Sequence, residues 1–299
     1  MPCRRPQRSW LSSLSLPACL TKFAARRKPA GSPARVRSAV RLPRQRRRAT
    51  STRKLMGDTY VLVHGAWHGA WCWAAVIRQL QKLGDQAFAV DLQGHGASNI
   101  NRAGATLDAY VDSVVTYIED RGLSDVVLVG HSLGGITISG VVQKIPRRLK
   151  RVIYINAIVP RDGERAIDTS PDAGALAQRL ETLRSLPDPS AEVDEQMFRA
   201  AFIQDAARDL QDFVLAALAP EPVAPMLQPV SMRHFFTSAV PQSYLVCEDD
   251  ISRGPAHWHH PNFTSRLADP TMRFVKSGHE IMFTAPAQCA LALHELAQG

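Results

Sequence analysis

Short hydrophobic runs alternate along the chain with longer segments whose apolar positions recur at helical spacing. Six runs have the length and composition of buried strands: 59–63, 86–90, 125–129, 151–155, 243–246 and 272–275. Helical spacing predicts helices at 73–83, 107–121 and 286–297. Strands that alternate with helices predict an α/β fold, in which a mostly parallel central sheet carries helices on both faces.

The segment at about 160–241 interrupts this alternation. It is punctuated by proline, and its apolar residues show no strand periodicity: Phe198, Phe202, Phe213, Leu218, Met226, Phe235 and Phe236. We expect an inserted helical cap over the carboxyl edge of the sheet, where open α/β folds bind ligands. These apolar side chains are expected first of all to form the core of the cap, and some of them to line a pocket.

The residues around Ser132 carry the strongest chemical signal. The apolar run before them is followed by Gly-His-Ser-Leu-Gly at 130–134, which fits the pattern G-x-S-x-G, and an apolar helical segment comes next. A serine at such a strand-to-helix turn has a strained backbone, and the flanking glycines let neighbouring chain pass close to it. This context predicts that Ser132 is a nucleophile.

A serine hydroxyl needs a general base to accept its proton and an acid to orient that base. In the strand-turn-helix arrangement the partners follow in the order Ser, Asp or Glu, His. His279 comes directly after the last predicted strand, and we predict that it is the base. His294 lies in the last predicted helix, where a surface or packing role is expected.

The acid is expected directly after the strand that precedes the one leading to His279. Three carboxylates follow that strand, and we predict Asp250, with Asp249 as the second candidate and Glu248 as the third. Two of the three are expected to be solvated loop charges. Asn156, which follows an earlier strand, could orient a base but cannot carry the compensating charge.

The loop after the first strand is rich in glycine, histidine and tryptophan. Its backbone amides, together with the amide that follows the serine, can point at a developing negative charge. We therefore predict an oxyanion hole formed by the N–H groups of Ala66 and Leu133. A plain packing turn would explain the tryptophans but not the placement of His64 before Gly65.

Taken together, these motifs resemble the α/β-hydrolases, and specifically the plant methylesterase and hydroxynitrile lyase group with its bacterial esterase relatives. The matching pieces are 61–71, 91–98, 130–134, 159–163, 247–250 and 278–279. The resemblance covers 58–298 and implies the α/β-hydrolase fold and a cofactor-independent carboxylic-ester hydrolase that works through an acyl-enzyme. In this family the acid follows a Cys-x-x motif, which supports Asp250.

This chain differs from the hydroxynitrile lyase members of the group at two positions. The lyases have a threonine after the first-loop histidine and a lysine after the catalytic histidine. This chain has Gly65 and Glu280 there. A lysine would stabilise departing cyanide and a glutamate would repel it, so a hydroxynitrile lyase is disfavoured. A lactone or other acyl-bond hydrolase and a non-catalytic ligand-binding protein stay open as alternatives. The apolar cap predicts a small ester substrate with an apolar moiety.

Charge divides the chain into two parts. Residues 1–55 hold 16 basic and no acidic residues, which leaves 20 basic against 27 acidic residues for 56–299. We interpret 1–55 as a basic, disordered leader outside the hydrolase domain at 56–299. A spurious extension, with Met56 as the real start, is favoured over an organelle transit peptide or a basic arm that binds nucleic acid or membrane. The acidic body disfavours a nucleic-acid partner, no apolar run predicts a membrane span, and a homodimer stays open.

Cysteine and histidine spacing gives no cofactor signal. The five cysteines are scattered without a C-x-x-C pair, so a reducing, cytoplasmic location is expected unless the leader targets an organelle. His257-Trp258-His259-His260 lacks the pattern of a fourth metal ligand, and we interpret it as the polar rim of a loop. We predict no metal and no cofactor.

Overall fold

A computed structural model describes residues 57–96, 101–254 and 259–299, so the predicted leader lies outside the described residues. The strands are β1 (Thr59–Val63), β2 (Gln86–Val90), β3 (Val126–His131), β4 (Leu149–Ile155), β5 (Ser190–Ala191), β6 (Glu221–Pro222), β7 (Gln242–Cys247) and β8 (Thr271–Val275). The central sheet has the order β2-β1-β3-β4-β7-β8, and every neighbouring pair in it is parallel. The prediction of a mostly parallel sheet is confirmed. Strands β5 and β6 form a separate antiparallel pair.

Helices connect the strands and fill the long insertion between β4 and β7. They are α1 (Ala74–Lys82), α2 (Leu107–Asp120), α3 (Gly134–Lys144), α4 (Ala173–Arg184), α5 (Glu195–Met197), α6 (Arg208–Ala217), α7 (Ala224–Leu227), α8 (His259–Asn262), α9 (Ile281–Thr284) and α10 (Pro286–Gln298). The helices predicted from periodicity correspond to α1, α2 and α10, with ends that differ by at most one residue. Such differences at the ends are expected because helix termini fray.

Alternate residues of β1 enter two different hydrophobic cores. Val61 and Val63 pack in the core that contains α2 and α3, whereas Tyr60 and Leu62 pack in the core that contains α1 and α10. All four side chains are fully buried. A parallel strand covered on both faces needs apolar residues at every position. This explains why polar and apolar residues do not alternate in the segments predicted as strands.

The insertion between β4 and β7 carries α4 to α7 and two small apolar clusters of its own. One cluster is centred on Phe198 and includes Trp67 and Trp71 from the loop after β1, together with Phe283 from α9. The insertion therefore packs against the loop that follows β1, at the carboxyl ends of the strands. This is the edge at which the sequence predicted the functional site.

The apolar residues of the insertion do not all lie inside it. Phe198 and Phe235 are buried, but Phe213 and Phe236 are 63% and 47% exposed. The expectation that they form the interior is therefore wrong for Phe213 and Phe236. On α6 the neighbouring Val214 is fully buried, and adjacent helical positions point in directions about 100° apart, so Phe213 is turned outward.

Gly135 in α3 lies directly against the chain that follows β4. A Cβ atom at this position would lie 2.1 Å from the carbonyl oxygen of Ile158 and 2.9 Å from its nitrogen. Because backbone would have to move, Gly135→Ala is expected to lower the free energy of unfolding by roughly 3 kcal/mol, measured by urea unfolding. Gly174→Ala in α4, where a Cβ meets nothing within 4 Å, is the matched control and is expected to change stability by less than about 1 kcal/mol. Equal stability of the two variants would contradict this packing.

None of the helices among the described residues combines the length and the apolar character that crossing a bilayer requires.

Candidate active site

Ser132 lies at the tight turn between β3 and α3. It has a φ angle of 52°, in the left-handed region that non-glycine residues rarely adopt. Its N–H donates to the carbonyl of Ile155 at 3.2 Å, and its carbonyl accepts from the N–H groups of Gly135 at 3.1 Å and Ile158 at 3.0 Å. These backbone hydrogen bonds hold the serine in a conformation that local preferences alone disfavour.

The glycines on either side of the serine allow this turn to pack closely. A Cβ at Gly130 would lie 2.8 Å from Cδ1 of Ile138, and one at Gly134 would lie 2.6 Å from the carbonyl oxygen of His64. The predicted close passage of neighbouring chain is therefore present on both sides of the turn. It brings Ser132 next to the loop that follows β1.

His279 and Asp250 meet because they follow β8 and β7, which are neighbours in the sheet. Nδ1 of His279 lies 2.6 Å from Oδ2 of Asp250, and both residues are 1% exposed. The other ring nitrogen, Nε2, has no hydrogen-bond partner among the described residues. Of the other two candidate acids, Asp249 is exposed and Glu248 is half-buried, and neither has a recorded contact with His279. The geometry favours Asp250.

Asp250 is held in place from several sides. Nδ2 of Asn156 donates to Oδ2, and the backbone N–H of Ser252 donates to Oδ1 at 2.8 Å. Asn156 accepts in turn from the N–H of Cys247 at 2.8 Å, and the hydroxyl of Ser252 lies 3.0 Å from Nδ1 of His279. The sequence suggested Asn156 as a group that could orient the base, but its side chain contacts the acid.

His259 is a buried neighbour of the same carboxylate. Its Nε2 lies 3.2 Å from Oδ2 of Asp250, its Nδ1 lies 3.4 Å from the hydroxyl of Tyr244, and the residue is 1% exposed. The interpretation of the histidine-rich motif as a polar rim is therefore wrong for His259, while His260 is exposed as expected. The first two residues of that motif lie outside the described residues. His259 is buried beside Asp250, and no local pattern in the sequence predicts this.

Asp250, His259 and His279 together are a set of metal-ligand types. Their contacts to Oδ2 of Asp250 measure 2.6 Å from His279 and 3.2 Å from His259. Tetrahedral zinc ligands with bonds of 2.0–2.1 Å lie about 3.3 Å apart, so the shorter contact is that of a hydrogen bond. As placed, His279 and Asp250 are hydrogen-bonded to each other, and Nε2 of His259 lies beside the carboxylate without the geometry of a hydrogen bond. The absence of a metal or cofactor stays a prediction.

Electrostatics divides the roles of these three groups. Burial alone would raise the pKa of Asp250, but the charges and hydrogen bonds of His279 and His259 outweigh it and hold the pKa well below its usual range. Burial lowers the pKa of His279, yet the charge and hydrogen bond of Asp250 outweigh this effect and raise the pKa above 6.5. Burial lowers the pKa of His259 to about 4. Asp250 is therefore ionised and His259 neutral near pH 7.

His131, the residue before Ser132, fixes the loop that carries His279. Its Nε2 donates to the carbonyl of His279 at 3.0 Å, and the two rings lie 4.6 Å apart. Burial lowers the pKa of His131 well below 6.5, so this imidazole is neutral. The G-x-S-x-G pattern leaves this position open, and the sequence therefore gave no reason to single it out.

Ala66 and Leu133 each have a free backbone N–H. Among the described residues neither N–H has an acceptor in the protein. Ala66 lines a small pocket of about 10 Å³ together with Ser132 and His279. Leu133 is buried and follows Ser132 in the chain. The structure thus brings Ala66, Ser132 and His279 to one cavity and leaves two N–H donors available beside the serine.

Glu221 of β6 fixes the loop that contains Ala66. Its Oε2 accepts from the N–H of Trp67 at 2.9 Å, and its Oε1 accepts from the hydroxyl of Tyr110 at 2.8 Å. Nε2 of His95 lies 3.2 Å from Oε2, and Glu221 is 1% exposed. Trp67 has a φ angle of 64°, so a buried carboxylate holds a strained turn directly after Ala66.

Residues 60–292 match the model of the Alpha/beta hydrolase family. The chain therefore belongs to the α/β-hydrolase family, and the predicted fold class is confirmed. The expected resemblance to methylesterases and bacterial esterases is confirmed by the individual relatives.

Among these relatives is the Carbendazim hydrolyzing esterase of Nocardioides sp. (strain SG-4G), which is 27% identical over 249 residues, 79% of this chain and 98% of that protein. Putative methylesterase 15, chloroplastic, of Arabidopsis thaliana is 25% identical over 252 residues, 80% of this chain, but the match spans only 56% of that protein. A solved structure of an extracellular alpha/beta-hydrolase from a Paenibacillus species has a TM-score of 0.75 and 28% identity, and the match covers 81% of this chain and 100% of that one. That hydrolase is described as sharing structural and functional homology with tobacco salicylic acid binding protein 2.

Proposed function

We propose that this chain is a cofactor-independent serine hydrolase that cleaves a carboxylic ester through an acyl-enzyme. One observation carries the proposal: the hydrogen bond from His279 to buried Asp250 leaves Nε2 unpartnered in the pocket that Ser132 lines. A base oriented in this way can accept the serine proton. The names of the relatives, an esterase and a methylesterase, support an ester as the substrate.

In the proposed mechanism Oγ of Ser132 attacks the ester carbonyl carbon while Nε2 of His279 accepts the serine proton. Asp250 stabilises the resulting imidazolium, and the N–H groups of Ala66 and Leu133 bind the oxyanion. His279 then donates its proton to the departing alkoxide, which leaves an acyl group on Ser132. A water molecule deprotonated by His279 attacks the acyl carbonyl and releases the carboxylic acid and free Ser132.

We further propose that 160–241 is a cap that controls access to Ser132. The ring of Phe202 packs edge-on against His279 with the centroids 5.1 Å apart, and Phe202 and Trp67 line the pocket. The pocket of about 10 Å³ is far smaller than ordinary ligand sites of about 300–1,000 Å³. Access of an ester with an apolar moiety therefore requires Phe202 and its neighbours to move aside.

Hydrolysis of p-nitrophenyl acetate, butyrate and octanoate tests the proposed function. We expect turnover of at least one of these esters, and the trend with chain length measures the size of the acyl site. Cyanide release from mandelonitrile, measured in parallel, is expected to stay at the level of buffer. Folded protein that cleaves neither these esters nor a panel of lactones would contradict the proposal and favour a binding function.

The fall of kcat/KM at acid pH is expected to reflect protonation of His279. The base must be neutral to accept the serine proton, so kcat/KM falls as the pH drops through the pKa of His279. Because Asp250 raises that pKa, we expect the acid limb above pH 6.5. The pKa values of the neighbouring His131 and His259 are lowered, so these two imidazoles stay neutral over this pH range. Measuring kcat/KM for p-nitrophenyl butyrate from about pH 5 to 9 gives the pH at which activity is half-maximal on the acid side. A midpoint below about pH 5.5 would contradict the role of His279 as the base.

The cellular compartment and the binding partners of the chain are also proposals. Cys72, Cys247 and Cys289 are buried and unpaired, which fits the reducing cytoplasm that we propose for the chain. A small-molecule ester is the proposed partner, without nucleic acid. A homodimer stays a prediction, and size-exclusion chromatography with light scattering tests it.

A further inference from the structure

Two buried polar atoms in the Ser132 pocket have no hydrogen-bond partner among the described residues. They are Oε2 of Glu280, a residue 1% exposed, and Nε2 of His68, a residue 3% exposed. The two atoms lie 3.4 Å apart but lack the geometry of a hydrogen bond. Both side chains line the pocket together with Ser132 and His279. The proposed reaction uses neither of them.

The surroundings of His68 fix the orientation of its ring. Nδ1 lies 2.7 Å from the carbonyl oxygen of Ala66, which can only accept, so Nδ1 carries the hydrogen. The rings of Trp71 and Phe283 stack on the imidazole, with centroids 5.6 Å and 5.9 Å from it, and fix its orientation. Oε2 of the Glu280 carboxylate is an acceptor, and no group among the described residues meets it with the geometry of a hydrogen bond. A buried acceptor therefore lies beside His68 in the pocket without a bonded donor.

A buried acceptor without a donor is destabilising, and a ligand that supplies the donor removes that penalty. The position of the pair in the pocket of Ser132 makes a substrate group the fitting donor. We propose that Glu280 and His68 bind an O–H or N–H group of the substrate close to the ester bond, so that the preferred substrates are hydroxy- or amino-substituted esters. This assignment rests on the proposed ester hydrolysis and refines its substrate class.

Matched esters that differ by one hydroxyl test the assignment. Ethyl 3-hydroxybutyrate against ethyl butyrate places the donor in the acyl part, and 2-hydroxyethyl butyrate against propyl butyrate places it in the alcohol part. Acid release by the full chain is followed in a pH-stat, with Ser132→Ala as the blank. We expect the hydroxylated member of at least one pair to have a kcat/KM at least about 10-fold higher, because a site built to bind a hydroxyl discriminates against its absence.

The variant Glu280→Gln is expected to bring that ratio close to one, because a neutral amide oxygen replaces the carboxylate oxygen and is a weaker acceptor for the substrate hydrogen. Glu119→Gln, which removes an exposed carboxylate on α2, is the matched control and is expected to keep the wild-type ratio. Since the readout is a ratio of two esters, a partial loss of folded Glu280→Gln protein does not affect it.

The outcomes separate this inference from the proposed function. Ser132-dependent turnover of all four esters with ratios within about 2-fold in both pairs would overturn the donor site and leave ester hydrolysis standing. A wild-type preference that Glu280→Gln retains in full would also overturn it. No Ser132-dependent turnover of any ester by folded protein would contradict the proposed function itself, and the substrate class with it.

Discussion

Ser132→Ala is expected to lower kcat for p-nitrophenyl butyrate by at least about 1,000-fold, because the proposed acyl-enzyme cannot form without Oγ. The fold is expected to remain intact, since the turn at this position is held by backbone hydrogen bonds to Gly135, Ile155 and Ile158 rather than by the hydroxyl. Steady-state kinetics measures the loss, and far-UV circular dichroism checks the fold.

Ser113→Ala is the matched control for this variant. Ser113 is half-buried on α2, and its hydroxyl bonds only the carbonyl of Ala109 at 2.8 Å. We expect this control to keep kcat within about 2-fold of wild type. Folded Ser132→Ala protein that retained more than about one tenth of wild-type kcat would refute a nucleophilic role, because removal of a triad nucleophile costs far more.

Asp250→Asn is expected to lower kcat by roughly 1,000- to 10,000-fold. The carboxylate holds the hydrogen of His279 at Nδ1 and stabilises the imidazolium, and an amide does neither reliably. An asparagine amide would also place an N–H group against the side-chain N–H of Asn156, which donates to Asp250 in the wild type. The acid limb of the pH profile is expected to move to lower pH in this variant, because Asp250 is what raises the pKa of His279.

Asp249→Asn provides the control one residue away. Asp249 is exposed and its carbonyl, not its carboxylate, accepts a hydrogen bond from Gln204 at 2.8 Å. We expect kcat within about 2-fold of wild type. A large loss in Asp249→Asn together with near-normal turnover in Asp250→Asn would reverse the assignment of the acid.

The sequence predicted well those features that local patterns determine. The strands appear where continuous apolar runs lie, because a parallel strand covered on both faces needs apolar residues at every position. Ser132, Asp250 and His279 were selected because each follows a predicted strand, and the carboxyl ends of neighbouring parallel strands meet at one edge of the sheet. The structure brings them together there, while their catalytic roles stay proposals.

Contacts between distant segments could not be predicted in the same way. His259 lies beside Asp250 and is buried, but nothing in its own neighbourhood in the sequence marks it as buried. Glu221 and Trp67 are 154 residues apart in the chain, and their hydrogen bond depends on how the insertion packs on the first loop. The pairing of His68 with Glu280 has the same origin, since one follows β1 and the other follows β8.

Covalent trapping of the nucleophile tests the central claim most directly. Diethyl p-nitrophenyl phosphate transfers a diethylphosphoryl group to an activated serine and releases p-nitrophenol, and intact mass followed by peptide mapping locates the adduct. The account predicts one adduct per chain, on Ser132, with loss of ester hydrolysis in proportion to labelling. His279→Ala is expected to label far more slowly because the base is missing. Full labelling at another residue, or labelling of Ser132 without loss of activity, would contradict it.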